Sequence, residues 1–158
     1  SKLSLRIPHL PIRMTAHGER ALALAERLHE IGITVGYPGL ADHPDRALFD
    51  ELRCPDYGYG GIMTVDMGTE DRANQLMSLL QNKYRFGFIA VSLGYFDTLR
   101  SCSGSSTSSE MTDEDKTAAH ISPGLVRLSI GYTGTLEQRW RQLKGALDDL
   151  GVTSAHAA

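Results

Sequence analysis

The segment that most narrows the choice of fold is 60–67. Ile62, Thr64 and Asp66 alternate with Met63, Val65 and Met67, the period-2 signature of a strand buried on one face only. Such a strand needs an apolar layer on one side, and the flanking segments supply it at helical spacing. Leu24, Leu28 and Ile31 fall at i, i+4, i+7 in a helix expected over 15–31. Leu76, Met77, Leu79 and Leu80 lie in one expected over 69–82. Leu136, Trp140, Leu143 and Leu147 mark a last helix ending at Gly151. Further strands are expected over 33–36, 86–93 and 126–131, and shorter helices from 42 to about 53 and after Thr112. The order is helix, strand, helix, strand, helix, strand, short helix, strand, helix. It predicts an α+β fold: a two-layer sandwich, with a mixed or mostly antiparallel sheet carrying helices on one face.

Caps mark several boundaries. Thr15 is a candidate N-cap with Gly32 closing its helix, Thr69 precedes two acids, and Thr112 with Asp115 and Thr135 with Gln138 have capping-box spacing. Pro8 and Pro11 make 1–13 an expected extended arm. Residues 14–151 form the expected domain, and 152–158 an expected frayed tail. The chain has 158 residues, 41% hydrophobic and 22% charged, the composition of a folding chain. A net charge of −3 and a pI near 6.0 argue against nucleic-acid or membrane-surface binding through bulk charge. No apolar run is long enough to span a membrane, and a cytoplasmic setting is expected. A chain that starts at Ser1 reads as part of something longer.

The search for a self-contained active site returns little. The stretch 57–61, Tyr-Gly-Tyr-Gly-Gly, lacks a following Lys-Ser/Thr and reads as a pre-strand loop. The six histidines have no paired metal-ligand spacing, and two cysteines make neither a disulfide framework nor a four-cysteine zinc site. Cys102 sits in a serine-rich stretch and reads as an exposed thiol in a loop over 101–110. One feature stands out. Along 126–130 the apolar residues share a face and Arg127 shares the other with Ser129. An arginine in mid-strand needs a partner. Its planar fork suits bidentate capture of a carboxylate, either a ligand's or that of an internal acid such as Asp66 or Asp97. Ser92 occupies the corresponding polar position of the strand over 86–93.

Five short motifs then fall in register: Leu-Pro-Ile-Arg-Met at 10–14, Tyr-Pro-Gly-Leu with His-Pro at 37–44, Tyr-Gly-Gly-Ile-Met at 59–63, Val-Ser-Leu-Gly at 91–94 and Gly-Leu-Val-Arg-Leu-Ser-Ile-Gly at 124–131. In this order the chain resembles the pyridoxal-phosphate (PLP) enzymes of cysteine and methionine metabolism, of the cystathionine γ-synthase, methionine γ-lyase and O-acetylhomoserine sulfhydrylase type. The resemblance covers about 10–150 and is to the C-terminal small domain of these fold-type I enzymes.

The resemblance implies a lyase or transferase of trans-sulfuration and methionine metabolism, with pyridoxal 5'-phosphate as cofactor of the full-length enzyme. The Schiff-base lysine belongs to an N-terminal domain absent from this chain. None of the four lysines here (Lys2, Lys83, Lys116, Lys144) stands in the family's Ser-x-Thr-Lys context, so this chain alone is expected to be inactive and to hold no covalent cofactor. Arg127, Ser92 and Thr107 are implied as substrate-binding residues, Arg127 through the α-carboxylate of a small amino acid. The missing PLP domain and further copies of the full-length chain, as a tetramer, are the implied protein partners. The competing reading is a free-standing, non-catalytic carboxylate-binding or subunit-interaction module.

Overall fold

The computed structural model describes residues 2–103, 111–119 and 121–153. Among these residues six α-helices and five strands follow one another: α1 (Lys2–Arg6), α2 (Leu10–Glu30), β1 (Thr34–Gly36), α3 (Arg46–Leu52), β2 (Ile62–Asp66), α4 (Glu70–Asn82), β3 (Phe88–Ile89), β4 (Leu99–Cys102), α5 (Asp113–Ala118), β5 (Leu125–Ser129) and α6 (Leu136–Asp149). The sheet order is β1-β2-β5-β4-β3. All neighbours are antiparallel except β3 and β4, which run parallel. The sheet is therefore mixed, as expected.

One face of the sheet presents Met63, Val65, Val126 and Leu128 to a single core. Ala21, Leu24, Ala25 and Leu28 of α2 enter that core, with Ala73, Leu76, Met77 and Leu80 of α4 and Leu143, Ala146 and Leu147 of α6. The two-layer sandwich is thus built from the stripes legible in the sequence. Its helix starts are capped as well. The Thr69 and Thr135 hydroxyls accept from the N–H groups of Arg72 and Gln138, and Thr112 and Asp115 form a complete capping box.

Several expectations are corrected. The arm over 1–13 is not extended: α1, a 3-10 turn over Ile7–His9 and the start of α2 occupy it. Pro8 and Pro11 each sit in a first helical turn, where a missing N–H costs nothing. Thr15 accordingly lies inside α2 and caps nothing. The strand over 86–93 shrinks to β3, whose ladder ends with the Ala90 N–H donating to Arg100 O at 3.0 Å. The helix expected from 42 begins at Arg46. Finally, Ser101 and Cys102 belong to β4 and not to a loop, and Cys102 is buried. Burial pushes the Cys102 thiol pKa up, with Glu70 adding to the effect.

Arg100 faces the core from β4, opposite Leu128, and is fully buried. It donates to the Phe86 carbonyl and, at 2.7 Å, to Gln81 Oε1 of α4. Burial lowers its pKa to about 10, with Asp97 acting the other way. This neutral-acceptor tether ties β4 to α4.

Candidate functional site

Arg127 lies at the middle of β5, paired with Thr64 on β2 and Ser101 on β4. Its neighbours Val126 and Leu128 point into the core, so pleating sends Arg127 to the opposite face. Two glycines bracket the strand for steric reasons. A Cβ at Gly124 would stand 2.4 Å from Gly68 N, and one at Gly131 would stand 2.4 Å from the Asp97 carbonyl carbon. The motif's glycines let two backbone segments approach the ends of the strand that carries the arginine.

Neither acid offered as an internal partner meets Arg127. Asp97 pairs with Arg139 at 2.9 Å in a largely buried bridge. Asp66 accepts from Ser122 Oγ at 2.7 Å and from the Gly68 N–H at 2.8 Å. Among the described residues Arg127 has no carboxylate partner. Its Nη2 donates long bonds to two carbonyls, Ala90 O at 3.4 Å and Ser92 O at 3.3 Å. Its Nε is buried without an acceptor, as is Ser101 Oγ across the β4–β5 pair. A half-buried guanidinium held only by neutral groups, beside a second unsatisfied polar atom, leaves donor capacity that an anion would satisfy.

Ser92 comes to this place through its main chain, with its residue exposed. Thr107 lies outside the described residues. Sequence reasoning missed Ser101, Ser129 and Arg13. Ser129, only 2% exposed, accepts through Oγ from the Gly94 N–H at 3.0 Å, and Arg13 Nη2 donates to Gly94 O at 2.7 Å. The signal for Ser129 was its shared face with Arg127, and for Arg13 its place in the 10–14 motif. An open cleft lined by Arg6, His9, Ile12, Arg13, Ala16 and Tyr132 runs along α2. It shares Arg13 with this site but not Arg127.

The chain has four lysines. All four lie on helices or at a helix end. Lys83 pairs with Asp149 at 2.6 Å and Lys144 with Asp148 at 2.7 Å, both in exposed positions.

Comparison with known families bears directly on this arrangement. The family model described as Cys/Met metabolism PLP-dependent enzyme matches residues 5–146. The chain belongs to that family. Methionine gamma-lyase of Arabidopsis thaliana is 58% identical over 145 residues, covering 92% of this chain and 33% of the relative. L-methionine gamma-lyase of Treponema denticola is 37% identical over 146 residues, covering 89% and 34%. The crystal structure of cystathionine gamma synthase from Xanthomonas oryzae pv. oryzae in complex with cystathionine superposes with a TM-score of 0.78 at 33% identity, covering 92% of this chain and 36% of that one. The chain thus spans about a third of the length of these relatives. The family is PLP-dependent, and the fold is the small domain of fold-type I PLP enzymes. Among the described residues no helix is long and apolar enough to cross a membrane.

Proposed function

We propose that this chain is the substrate-closing domain of a PLP-dependent lyase or transferase of sulfur amino acids or O-acylhomoserines, methionine γ-lyase-like, and that Arg127 binds the substrate α-carboxylate. The observation that carries the reading is the guanidinium of Arg127, half-buried on the sheet face away from the core, with both candidate internal acids engaged elsewhere. The cofactor, when bound in the full-length enzyme, supplies an electron sink for carbanion chemistry at Cα. The task of this chain is positional. With Nη2 committed to Ala90 O and Ser92 O, Nη1 offers a carboxylate its freest hydrogens. Fixing the carboxylate fixes which Cα bond faces the reacting centre, an orientation effect worth several kcal/mol in general, up to about 7–11. Ser92 and Thr107 are substrate-binding residues in this reading, as the resemblance implies.

The catalytic lysine comes from an N-terminal domain, and this chain alone is inactive. Apolar side chains left exposed on 91–96 and α1, such as Val91 at 67% and Leu5 at 75%, suit contact with that domain and with further copies in a tetramer. A cytoplasmic setting accords with this metabolism. The test is Arg127→Ala in the full-length enzyme. KM for the amino acid rises about a hundredfold or more, about 2.8 kcal/mol at 1.4 per decade, while the cofactor's absorbance is unchanged. An unaltered kcat/KM refutes the assignment. Stoichiometric, borohydride-trappable PLP on this chain alone, at Lys83, would refute the division of labour between domains.

A further inference from the structure

We propose that Arg13 and Ser129 are positioning residues for the Arg127 site, clamping the Gly94 peptide from both sides. The inference rests on the reading of Arg127 as the carboxylate anchor. The segment 90–96 leaves the sheet after β3 and crosses beside β5. It is not held by burial of its own side chains, since Val91, Leu93, Tyr95 and Phe96 are 67%, 55%, 43% and 44% exposed. Hydrogen bonds hold it instead. At its centre Gly94, with φ +68°, donates its N–H to Ser129 Oγ at 3.0 Å and accepts at its carbonyl from Arg13 Nη2 at 2.7 Å. At its far end Phe96 O accepts from the N–H groups of Tyr132 and Thr133.

The same segment supplies the acceptors that hold Arg127. Those bonds, at 3.3 and 3.4 Å, are at the long edge of hydrogen-bond range, where strength falls steeply with distance. A shift of the segment by a few tenths of an ångström therefore makes or breaks them. Ser129 sits two residues from Arg127 on the same strand face, so its bond to Gly94 sets how far the segment stands from the guanidinium. Arg13 closes the clamp from α2, 81 positions away in sequence, and its Nε is buried with no other acceptor. The clamp thus converts the seating of α2 into the aim of Arg127.

Arg20 supplies an internal control. It leaves α2 in the same way but donates to Thr133 O and Gly134 O at 3.1 and 2.9 Å, reaching 90–96 through Thr133, whose N–H donates to Phe96 O, and not at Gly94. The experiment reads L-methionine binding as KM, alongside kcat, in the PLP-loaded full-length protein. Arg13→Met and Ser129→Ala each weaken binding, and raise KM with kcat little changed, by about five- to tenfold, the fold-change of one hydrogen bond. Arg13→Lys, which keeps a donor, restores binding to within about twofold of wild type. Arg20→Met leaves binding intact, and Arg13→Met adds nothing once Arg127→Met is present. Unchanged binding in Arg13→Met, or equal weakening in Arg20→Met, overturns the clamp while loss of binding in Arg127→Met leaves the anchor standing. Unchanged binding in Arg127→Met overturns the anchor and the clamp together. If Ser129→Ala does not fold, the Arg13 pair decides.

Discussion

Replacing Gly131 by alanine would place a methyl carbon 2.4 Å from the Asp97 carbonyl carbon and 2.5 Å from Asp97 Cα and Phe96 O, where ordinary contact is 3.4–4 Å. All three obstacles are backbone, so one strand end or the other must retreat by about an ångström. Three hydrogen bonds cross that junction: the Gly131 N–H to Thr98 Oγ1 at 3.1 Å, and the N–H groups of Tyr132 and Thr133 to Phe96 O at 2.9 and 3.2 Å. Overpacking of this kind costs about 1–3 kcal/mol, and each bond lost adds about 1 kcal/mol. With two bonds broken the expected loss is about 3–5 kcal/mol. Gly60→Ala is the control, because Gly60 has φ +81° but nothing within 4 Å of its missing Cβ. It should lose only the left-handed penalty of about 1–2 kcal/mol. Urea unfolding followed through the single tryptophan, Trp140 of α6, measures both at constant m-value. A loss for Gly131→Ala no larger than that for Gly60→Ala would refute the close-approach reasoning.

Two further outcomes follow from the electrostatics. Hydrogen bonds from Arg53, then Tyr59 and Arg46, hold the Asp50 carboxyl pKa at about 2, below its ordinary 3.8. A depressed carboxyl stabilises the fold above its unfolded pKa, and that contribution is lost as pH falls from about 4 towards 2. Stability curves of Asp50→Asn should therefore be flatter than wild type across that window, and parallel curves would refute the network. Cys54 is exposed and Cys102 is buried. A thiol-disulfide reagent at neutral pH should label Cys54 rapidly and Cys102 only on unfolding; equal rates would contradict the burial of β4.

Most of the architecture was legible because periodicity and burial coincide in β2, α4 and α6. Met63 and Val65 alternate cleanly with polar residues, and the helix stripes enter the one core those residues face. β4 was illegible for the opposite reason. Its Arg100 is buried by finding neutral acceptors on Phe86 and Gln81, and its Ser101 by packing against Arg127's strand, so no apolar alternation betrays it. The N-terminal prolines misled because proline breaks helices in the interior and starts them at the first turn, and sequence does not mark which turn it occupies. At the site, the strand position of Arg127 was readable, but its freedom from acids was not. That depended on Arg139 reaching Asp97 across 42 residues, and Ser122 reaching Asp66 across 56. The Gly94 clamp was hidden in the same way, since its parts come from three distant segments.

The central claim is that the Arg127 guanidinium reads a carboxylate. It is tested most directly by a double-substitution cycle in which the protein loses the guanidinium and the ligand loses the charge. Affinities of the full-length protein for L-methionine and L-methioninamide are measured in wild type and in Arg127→Met. Wild type should prefer the acid by about a hundredfold, a coupling of about 2.8 kcal/mol, and Arg127→Met should bind acid and amide within about threefold of each other. A preference for the acid that survives intact in Arg127→Met would contradict the account.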